Sequence, residues 1–513
     1  MDDAIELIRQ REAVSATVTA HNLTYGQQLR QLARIAEDLL PYPKLGADAE
    51  VALAEGLIDD LHEGHAPYRP RYVVPDYAWA LEHGSEFLEL EPPQDLDDAL
   101  AFLLTLYHHV PSVTTYPVYF GDLDTLLLPY VDGVSDDELY AKLVRFWRLL
   151  DRTIPDAFSH ANIGPIDNRV ARTILRVDRD LAQVVPNLTL KWDPDTSGVD
   201  LLEEAARSIC AVNKPHIANH PMISFDFDEG YGVASCYNTL PLGGGSHTLV
   251  RLDLAQSAKR HVGGPDEYLS TTLPTHLGLL LEVIEARIRF LVEEAAFYDH
   301  SFLVEEGLIH RERFTAMAGI YGVAELVEAL FGEGRYGYDE TANAFAHDVV
   351  ARASAFVASR PLPYCRNGRA VLHAQSGISE DIGVTAGARI PTGREPETVD
   401  HVLAVAPHHH FFAGGVSDIF ALEATAKNNP QALVDLTRGA FARGLREITF
   451  NVAGTDLVRV TGYMVRLSDI EKWRREGSRL NSTGLGAESV DNWRLLDRAQ
   501  RVVSHETSPW SGR

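Results

Sequence analysis

Hydrophobic residues recur at helical spacing near the start of the chain and again near its middle. In the N-terminal part, the apolar positions that fall between charged ones are Ile5, Ile8, Leu29, Leu32, Ile35 and Leu39. Between residues 277 and 295 one apolar stripe is formed by Leu277, Leu280, Leu281, Ile284, Ile288 and Leu291. Such spacing places side chains on one face of a helix, so both regions are predicted to be helical scaffold. A cap residue followed by proline, Asn429-Pro430, predicts the start of another helix.

Elsewhere the pattern changes to shorter, strand-like runs. The stretch 65–76 is rich in proline and aromatic residues and is predicted to be an ordered loop that wraps the body. From about Asp95 onward, helical patterns alternate with short apolar runs, and no Ser/Gly/Pro-rich segment marks a second boundary. This predicts a mixed α/β protein that forms one compact unit. We divide it into an N-terminal helical and wrapping segment (1–90), a body (91–445), a glycine loop with its following helix (446–477) and a tail (478–513).

The composition is that of a globular protein with an interior large enough for a buried site. Apolar residues make up 45% and charged residues 23% of the 513 residues. The net charge of −27 argues against binding to nucleic acid, because attraction to phosphates needs clustered Lys and Arg. The chain does not start with a basic segment followed by an apolar one, and no apolar run reaches the roughly 20 residues of a membrane helix. We therefore expect a cytoplasmic protein that binds neither nucleic acid nor membranes.

The three cysteines, Cys210, Cys236 and Cys365, are too few for a disulfide framework, a four-thiolate zinc site or a four-cysteine iron–sulfur cluster. Cys210 lies among apolar residues of a predicted helix and is expected in the core. Cys365 stands beside Arg366 in a proline-rich turn, which predicts an exposed thiol with a lowered pKa. Cys236 lies between glycine-rich stretches and is followed by strand-like alternation at 248–254, so it is predicted to lie in a loop.

Gly462 lies in a second predicted loop, between a strand at 447–452 and a helix that begins near Ser468. Only glycine has a Cα that can hold a flat radical delocalised over both flanking amides, because a Cβ would crowd that centre. A thiol is a natural partner, since a hydrogen atom passes in either direction between S–H and the glycyl Cα–H. Such a relay needs the Cys236 sulfur within about 3–4 Å of the Gly462 Cα. Taken singly, a Gly-Tyr pair is typical of a turn and a buried cysteine is typical of a core.

Longer segments carry a resemblance to a known family. Arg459-Val-Thr-Gly-Tyr463 resembles the glycyl radical signature of the pyruvate formate-lyase and anaerobic ribonucleotide reductase superfamily. Over nearly its full length, the chain resembles the YjjI family of glycyl radical enzymes. The other segments that carry this likeness are 63–68, 107–113, 160–165, 214–219, 372–379 and 457–468.

The resemblance implies a ten-stranded α/β barrel of two five-stranded half-barrels, jacketed by helices, with the Cys236 and Gly462 loops meeting at its centre. It implies that Gly462 stores the radical and that Cys236 becomes the transient thiyl, which abstracts hydrogen from a small polar substrate. No cofactor is expected to stay bound, because a radical SAM activating enzyme, using S-adenosylmethionine and a 4Fe-4S cluster, installs the radical in anaerobic metabolism. A homodimer is also implied, whereas the substrate and the reaction class are left unassigned.

Two departures from related enzymes bear on the reaction. Formate-lyases have two adjacent cysteines, whereas Cys236 is followed by Tyr237, which disfavours acyl capture by a second thiol. Lyases that dehydrate diols or cleave choline carry a carboxylate base two residues after the thiyl cysteine, and this chain has Asn238 there. Two alternatives stay open: a nucleotide- or nucleoside-directed reductase related to anaerobic ribonucleotide reductase, and a catalytically silent barrel that acts as a binding or regulatory protein.

Five further residues are candidates for the substrate pocket: His216, Asn238, His373, Glu380 and His408. His216 precedes the cysteine loop, while His373 and Glu380 fall in a polar, glycine-bearing stretch that could supply an acid or a base. The ordinary alternatives are a hydrogen-bonded core histidine and a surface turn. The histidine clusters at 408–410 and 62–65 lack carboxylate or cysteine companions at a recognised spacing, so no bound metal is expected.

Overall fold

The structure is a computed structural model, and it describes residues 2–21, 23, 25–61, 67–112, 118–153, 159–227, 229–234, 237–374, 384–391, 393–459 and 464–476. Cys236, Glu380 and Gly462 therefore lie outside the described residues. The helices are α1 Asp2–Thr19, α2 Tyr25–Glu37, α3 Ala47–Ala54, α4 Tyr77–His83, α5 Leu96–His108, α6 Leu123–Leu127, α7 Asp136–Thr153, α8 Arg169–Leu181, α9 Gly198–Val212, α10 His220–Ser224, α11 Leu254–Arg260, α12 Pro265–Glu267, α13 Leu273–Arg289, α14 Phe302–Glu305, α15 Val323–Phe331, α16 Glu340–Ser359, α17 Thr398–His409, α18 Pro430–Ala442 and α19 Leu467–Glu476.

The strands are short and are spread along most of the chain. They are β1 Ile58–Asp59, β2 Tyr72–Val74, β3 Tyr119–Asp122, β4 His160–Ile163, β5 Asn187–Trp192, β6 His216–Asn219, β7 Tyr231–Ala234, β8 Asn238–Pro241, β9 Gly244–Asp253, β10 Phe314–Tyr321, β11 Val371–Ala374, β12 Asp418–Leu422, β13 Glu447–Val452, β14 Leu457–Arg459 and β15 Met464–Arg466. None of the helices in the described ranges combines the length and the apolar character that crossing a membrane requires.

The hydrophobic pattern located several elements correctly. Helix α13 covers much of the stripe predicted at 277–295, and a π-helical turn at Phe290–Glu294 continues it. Helix α18 begins at Pro430, and the Asn429 side chain accepts a hydrogen bond from the Ala432 N–H. Strand β13 has the predicted bounds. These elements carry their own local signals, namely the apolar stripe and the cap, and the fold retains them.

The strands form two mixed sheets and two separate hairpins. The six-stranded sheet has the order β12-β13-β6-β5-β4-β3, and all neighbours are parallel except β13 and β6. In the five-stranded sheet, β9, β10 and β11 run parallel, while β1 and β2 pair antiparallel with β9. Neither sheet closes on itself within the described ranges. The mixed α/β class is thus confirmed, and the ten-stranded barrel stays a prediction.

The six-stranded sheet has one apolar face and one polar face, and both are buried. The apolar residues, which belong to the main hydrophobic core, are Ala161, Ile163, Leu188, Leu190, Ile217, Ile448 and Phe450. The residues that alternate with them, and so point to the opposite face, are His160, Asn162, Asn187, Thr189, Lys191, His216, Glu447, Thr449 and Asn451. We call this second set the polar face. Buried polar groups need hydrogen-bond partners. On this face, several of those partners belong to the hairpin that carries Cys236.

Candidate active site

Strands β7 and β8 form an antiparallel hairpin whose connection contains Cys236, and this cysteine hairpin is docked on the polar face. The Asn162 side-chain amide donates to the Val233 carbonyl at 2.8 Å, and the Val233 N–H donates to the Asn162 Oδ1 at 2.8 Å. Lys191 Nζ donates to the Tyr231 carbonyl at 2.5 Å. The strand that leads into Cys236 is therefore held by side chains of two sheet strands, and Val233 lies three residues before the cysteine.

On its other side, the cysteine hairpin is joined to the five-stranded sheet through a short glycine segment. The Thr239 N–H donates to the Gly414 carbonyl at 3.0 Å, and the Gly414 N–H donates to the Leu372 carbonyl of β11 at 2.9 Å. Gly415 has φ +120°, and a Cβ there would lie 1.9 Å from the Tyr237 carbonyl oxygen. Only glycine permits this approach. The cysteine hairpin thus contacts both sheets.

Strands β14 and β15 form a second hairpin, whose connection at 460–463 contains Gly462. Like the cysteine hairpin, it is held on the polar face by an asparagine side chain that makes two hydrogen bonds to the backbone of one residue. The Asn451 side-chain amide donates to the Arg459 carbonyl at 2.7 Å, and the Arg459 N–H donates to the Asn451 Oδ1 at 2.9 Å. Arg459 lies three residues before Gly462, as Val233 lies three residues before Cys236. We call the Asn162 and Asn451 interactions the two asparagine clamps.

The two hairpins contact each other through residues within three positions of Cys236 and Gly462. The Arg459 guanidinium carbon lies 5.7 Å from the centroid of the Tyr237 ring, and the two side chains are also hydrogen-bonded. Tyr237 directly follows Cys236, and both Tyr237 and Arg459 are buried. The Tyr237 ring also lies 4.5 Å from the His216 ring, centroid to centroid. The chain segments that flank Cys236 and Gly462 therefore approach each other on the polar face.

His216 and Glu447 form a buried pair of titratable groups beside the cysteine hairpin. His216 Nε2 lies 3.1 Å from Glu447 Oε2, and both side chains have no exposed surface. The distance is that of an ion pair, but the angle is not that of a hydrogen bond, so neither atom has a hydrogen-bond partner among the described residues. His216 Nδ1 pairs with the Thr189 hydroxyl at 3.0 Å, and the Thr239 hydroxyl donates to Glu447 Oε1 at 3.2 Å.

Burial favours the neutral form of both members of this pair. Desolvation raises the pKa of Glu447 from 4.5 to about 8, although Arg446 and the Thr239 hydrogen bond act in the opposite direction. Desolvation, followed by the nearby charge of Arg459, holds the pKa of His216 well below its usual range. Near neutral pH the site therefore contains a neutral imidazole and a mostly protonated carboxyl group. A carboxyl with such a pKa can exchange a proton close to physiological pH.

Because the pKa of Glu447 is raised, we expect the free energy of unfolding to depend on pH, and we expect Glu447→Gln to remove this part of the dependence. The folded state keeps a proton that the unfolded state releases between pH 4.5 and about pH 8. Its contribution to the free energy of unfolding is therefore fully present below pH 4.5 and falls as pH rises to 8, by at most about 1.4 kcal/mol per pH unit. Glu447→Gln should lack this loss. Denaturation midpoints of both proteins from pH 5 to 8 measure it, and a constant difference between them would contradict the shift.

The structure brings two of the predicted pocket residues directly to the cysteine hairpin. They are His216, described above, and Asn238, whose amide donates to the Ala234 carbonyl at 3.1 Å. The Asn238 Oδ1 is buried and has no hydrogen-bond partner among the described residues. His373 is buried on β11, next to Gly414. Neither of its ring nitrogens has a hydrogen-bond partner among the described residues. Desolvation, with Arg71 and Arg251, lowers the pKa of His373 to about 3.

His408 lies apart from these residues in α17. Its Nε2 is 3.3 Å from the Tyr336 hydroxyl, and its ring is 6.0 Å from that of His347, centroid to centroid. Burial lowers its pKa to about 3. Within the described ranges, no group of three or more His, Cys, Asp or Glu side chains is arranged to hold a metal ion.

For the two other cysteines, the sequence predicted the environment of Cys210 correctly and that of Cys365 wrongly. Cys210 is buried, as expected, and its thiol donates to the Ala426 carbonyl. The expectation of an exposed, acidic Cys365 was wrong: the residue is buried, and desolvation raises the pKa of its thiol to about 12. The neighbouring Arg366 instead pairs with Glu229 at 2.9 Å. Sequence adjacency to a cation therefore did not lower the pKa.

Sequence reasoning missed Glu447 and both asparagine clamps. A signal was present, because β4, β5 and β13 alternate polar and apolar residues although both faces of the sheet are buried. Alternation normally indicates a strand with one solvated face. Only the assembled sheet reveals that the polar residues face an interior rather than solvent.

Solved structures share this fold. An anaerobic ribonucleotide reductase aligns with a TM-score of 0.72 and 14% identity, covering 92% of each chain. Hydroxyproline dehydratase (HypD) from Clostridioides difficile aligns with a TM-score of 0.67 and 12% identity, covering 97% of this chain and 88% of that one. A structure concerned with 1,2-propanediol dehydration in Roseburia inulinivorans aligns with a TM-score of 0.68 and 11% identity, covering 91% and 84%. The chain therefore shares its fold with these three solved structures.

Sequence comparisons define the family. The model described as "Glycyl radical enzyme YjjI-like" matches residues 23–501. The "Uncharacterized protein YjjI" of Escherichia coli (strain K12) is 54% identical over 494 residues, covering 95% of this chain and 96% of that protein. An uncharacterized protein of Haemophilus influenzae is 42% identical over 500 residues, covering 94% and 96%. The chain belongs to the YjjI-like family of glycyl radical enzymes, and it is an enzyme whose reaction class is unassigned.

Proposed function

We propose that the enzyme stores a radical on Gly462 and passes it to Cys236, whose thiyl form abstracts hydrogen from a small polar substrate. The contact between Tyr237 and Arg459 is the observation that supports this most directly. Along the chain, Cys236 is one residue from Tyr237 and Gly462 is three residues from Arg459, so extended backbone separates them from these two residues by at most about 4 Å and about 11 Å. The two asparagine clamps hold these segments on one buried face, where water is largely excluded.

Each step of the relay moves one hydrogen atom. The Gly462 radical takes hydrogen from the Cys236 thiol, which restores the glycine and leaves a thiyl radical. The thiyl takes hydrogen from a C–H bond of the substrate, and the product radical later takes hydrogen back from the thiol. The cycle consumes no oxidant or reductant, and the radical returns to Gly462 when the site is empty.

The remaining parts of the proposal follow from family membership. A radical SAM activating enzyme, with S-adenosylmethionine and a 4Fe-4S cluster, would generate the radical on Gly462. The two mixed sheets would correspond to half-barrels of a ten-stranded barrel, with the Cys236 and Gly462 loops at its centre. We also propose a cytoplasmic homodimer that works in anaerobic metabolism.

Electron paramagnetic resonance tests the radical assignment. Anaerobic incubation with the activating enzyme and S-adenosylmethionine should give a doublet, because one hydrogen remains on the Gly462 Cα and couples to the unpaired electron. Gly462→Ala should give no such doublet, whereas Cys236→Ala should still give it, since radical storage does not require the thiol. A doublet that survives Gly462→Ala would contradict the assignment.

The two alternative functions give different results. A catalytically silent barrel would form no radical under any activation condition, although it would bind its ligand. A nucleotide- or nucleoside-directed reductase would form the radical, bind nucleotides and require an external reductant for turnover. The fold shared with an anaerobic ribonucleotide reductase does not favour this second alternative, because at 14% identity the likeness extends to the fold alone.

A further inference from the structure

The three residues that follow Cys236 lie among buried polar groups that lack hydrogen-bond partners in the described part of the chain. Tyr237 packs on His216, Asn238 has an unpartnered Oδ1, and Thr239 donates to Glu447. His216 Nε2 and Glu447 Oε2 are also buried and without hydrogen-bond partners among the described residues. Buried polar atoms are normally satisfied by protein, water or ligand. This concentration beside the cysteine hairpin therefore indicates a binding site for a group that both donates and accepts hydrogen bonds.

The charges around this cluster restrict what that group can be. The guanidinium carbons of Arg459 and Arg389 lie 5.7 and 6.0 Å from the centroid of the Tyr237 ring. Neither arginine has a carboxylate partner within 4.0 Å among the described residues. A substrate ammonium group would be repelled here, whereas a neutral hydroxyl can donate to Asn238 Oδ1 or to the Glu447 carboxylate.

We infer that Glu447, which accepts a hydrogen bond from Thr239 and lies beside His216, is the acid–base group of the reaction, and that the substrate carries a hydroxyl group on the carbon that loses hydrogen. This inference rests on the proposed radical relay. It also accounts for Asn238, which stands where diol-dehydrating relatives have a carboxylate base. In this enzyme the carboxylate comes from β13 instead, through the contact between Glu447 and Thr239.

The proton and electron balance of the step is complete without another reagent. The Cys236 thiyl takes a hydrogen atom from the carbon of H–C–O–H and becomes a thiol. The Glu447 carboxylate accepts the hydroxyl proton, and the electron pair of the O–H bond stays on oxygen. The resulting ketyl radical expels a leaving group, with its bonding electron pair, from the adjacent carbon, and Glu447 returns the proton to that group. The carbon radical then recovers hydrogen from Cys236, giving a carbonyl product.

The titration of Glu447 can be observed separately from its neighbours. The titratable and charged groups around it are His216 from β6, Tyr231 from β7 and Arg446, the residue before β13. Burial holds the pKa of His216 well below its usual range and that of Tyr231 well above it. An ordinary thiol has a pKa near 8.5, so Glu447 is reported by the part of a pH dependence centred near 8 that Glu447→Gln removes.

The test uses activated enzyme with glycerol and 1,2-propanediol in deuterium oxide. Deuterium incorporation into the carbon of the diol, measured by mass spectrometry, reports hydrogen exchange with the Cys236 thiol. Carbonyl formation, measured after hydrazine derivatisation, reports the complete reaction. Glu447→Gln should leave deuterium incorporation within about twofold and should lower carbonyl formation about a hundredfold, the usual scale for losing a positioned acid–base group. The rise of carbonyl formation toward pH 8 should be absent from the variant.

Glu325→Gln is the matched control. Glu325 is a largely buried carboxyl in α15 that accepts hydrogen bonds from the Thr385 hydroxyl and N–H, and burial raises its pKa too. This variant should keep both activities. If Glu447→Gln does not fold, Glu447→Asp, which keeps a carboxylate on a shorter side chain, should retain part of the carbonyl formation and the pH dependence.

The possible results separate this inference from the relay on which it rests. Carbonyl formation by Glu447→Gln at the wild-type rate would overturn the role of Glu447. Absence of deuterium incorporation and carbonyl product from both diols, while the glycyl doublet is present, would overturn the hydroxyl substrate class. Absence of the doublet from the wild-type enzyme would instead overturn the proposed function.

Discussion

Wild-type enzyme activated in deuterium oxide should lose the doublet splitting of its glycyl radical signal, whereas Cys236→Ala should keep the doublet. When the Gly462 radical takes a deuterium atom from an S–D group, the Cα carries one hydrogen and one deuterium. The thiyl can then remove the hydrogen, which leaves a radical whose remaining Cα substituent is deuterium. Deuterium couples much more weakly to the unpaired electron, so the doublet collapses to a narrow signal.

This experiment needs no substrate and measures the relay itself. Collapse requires the Cys236 sulfur to reach the Gly462 Cα, the approach that the contact between Tyr237 and Arg459 supports. Cys210→Ala is the control, because its thiol donates to the Ala426 carbonyl and is not part of the cysteine hairpin, and the signal of this variant should collapse as in the wild type. Collapse in Cys236→Ala, or a persistent doublet in the wild type, would exclude the relay.

The helices and the strand before Gly462 could be predicted from sequence because their signals are local. Helix α13 has an apolar stripe, α18 has its cap at Asn429, and β13 is a short run with a clear end. In each case, the residues that form the element also carry the pattern. The loops predicted at Cys236 and Gly462 lie outside the described residues and stay predictions.

The polar face could not be predicted in the same way, because its members come from strands far apart in sequence. Glu447 meets Thr239 across 208 residues, and Arg459 meets Asn187 across 272 residues. The residues that precede and follow each of these positions in the sequence do not show whether its polar side chain faces solvent or the protein interior. The partner strand decides this, and the order of the six-stranded sheet is a property of the whole fold.

Cys365 illustrates the same limit for electrostatics. A neighbouring arginine suggested a stabilised thiolate, but the fold directs Arg366 toward Glu229 and encloses the sulfur. Desolvation then dominates over charge, and the pKa of the thiol rises to about 12. Glu447 shows the converse, since an acid that looks like an ordinary strand residue acquires a pKa of about 8 once the sheet buries it.

Removing either asparagine clamp should uncouple radical storage from radical transfer. Asn162→Ala leaves the Val233 N–H and carbonyl buried without their partner, and Asn451→Ala does the same to Arg459. Each unpaired buried group costs about 1–3 kcal/mol, which favours a shift of the hairpin toward other partners. A shift of about 1 Å between reacting atoms can slow a step by about a hundredfold. The glycyl doublet should therefore form, while its collapse in deuterium oxide slows by about that factor in both variants.

The control must lose a comparable number of hydrogen bonds without touching either hairpin. Asn168 suits this purpose, because its side chain caps α8 by accepting from the Val170 and Ala171 N–H groups and donates to Asp124. Asn168→Ala should lower the denaturation midpoint by a similar amount and leave the collapse rate unchanged. If all three variants slow the collapse equally, general destabilisation explains the effect, and the clamps have no special role. If only the two clamp variants do so, both hairpins are positioned from the same buried sheet face, and the relay depends on that positioning.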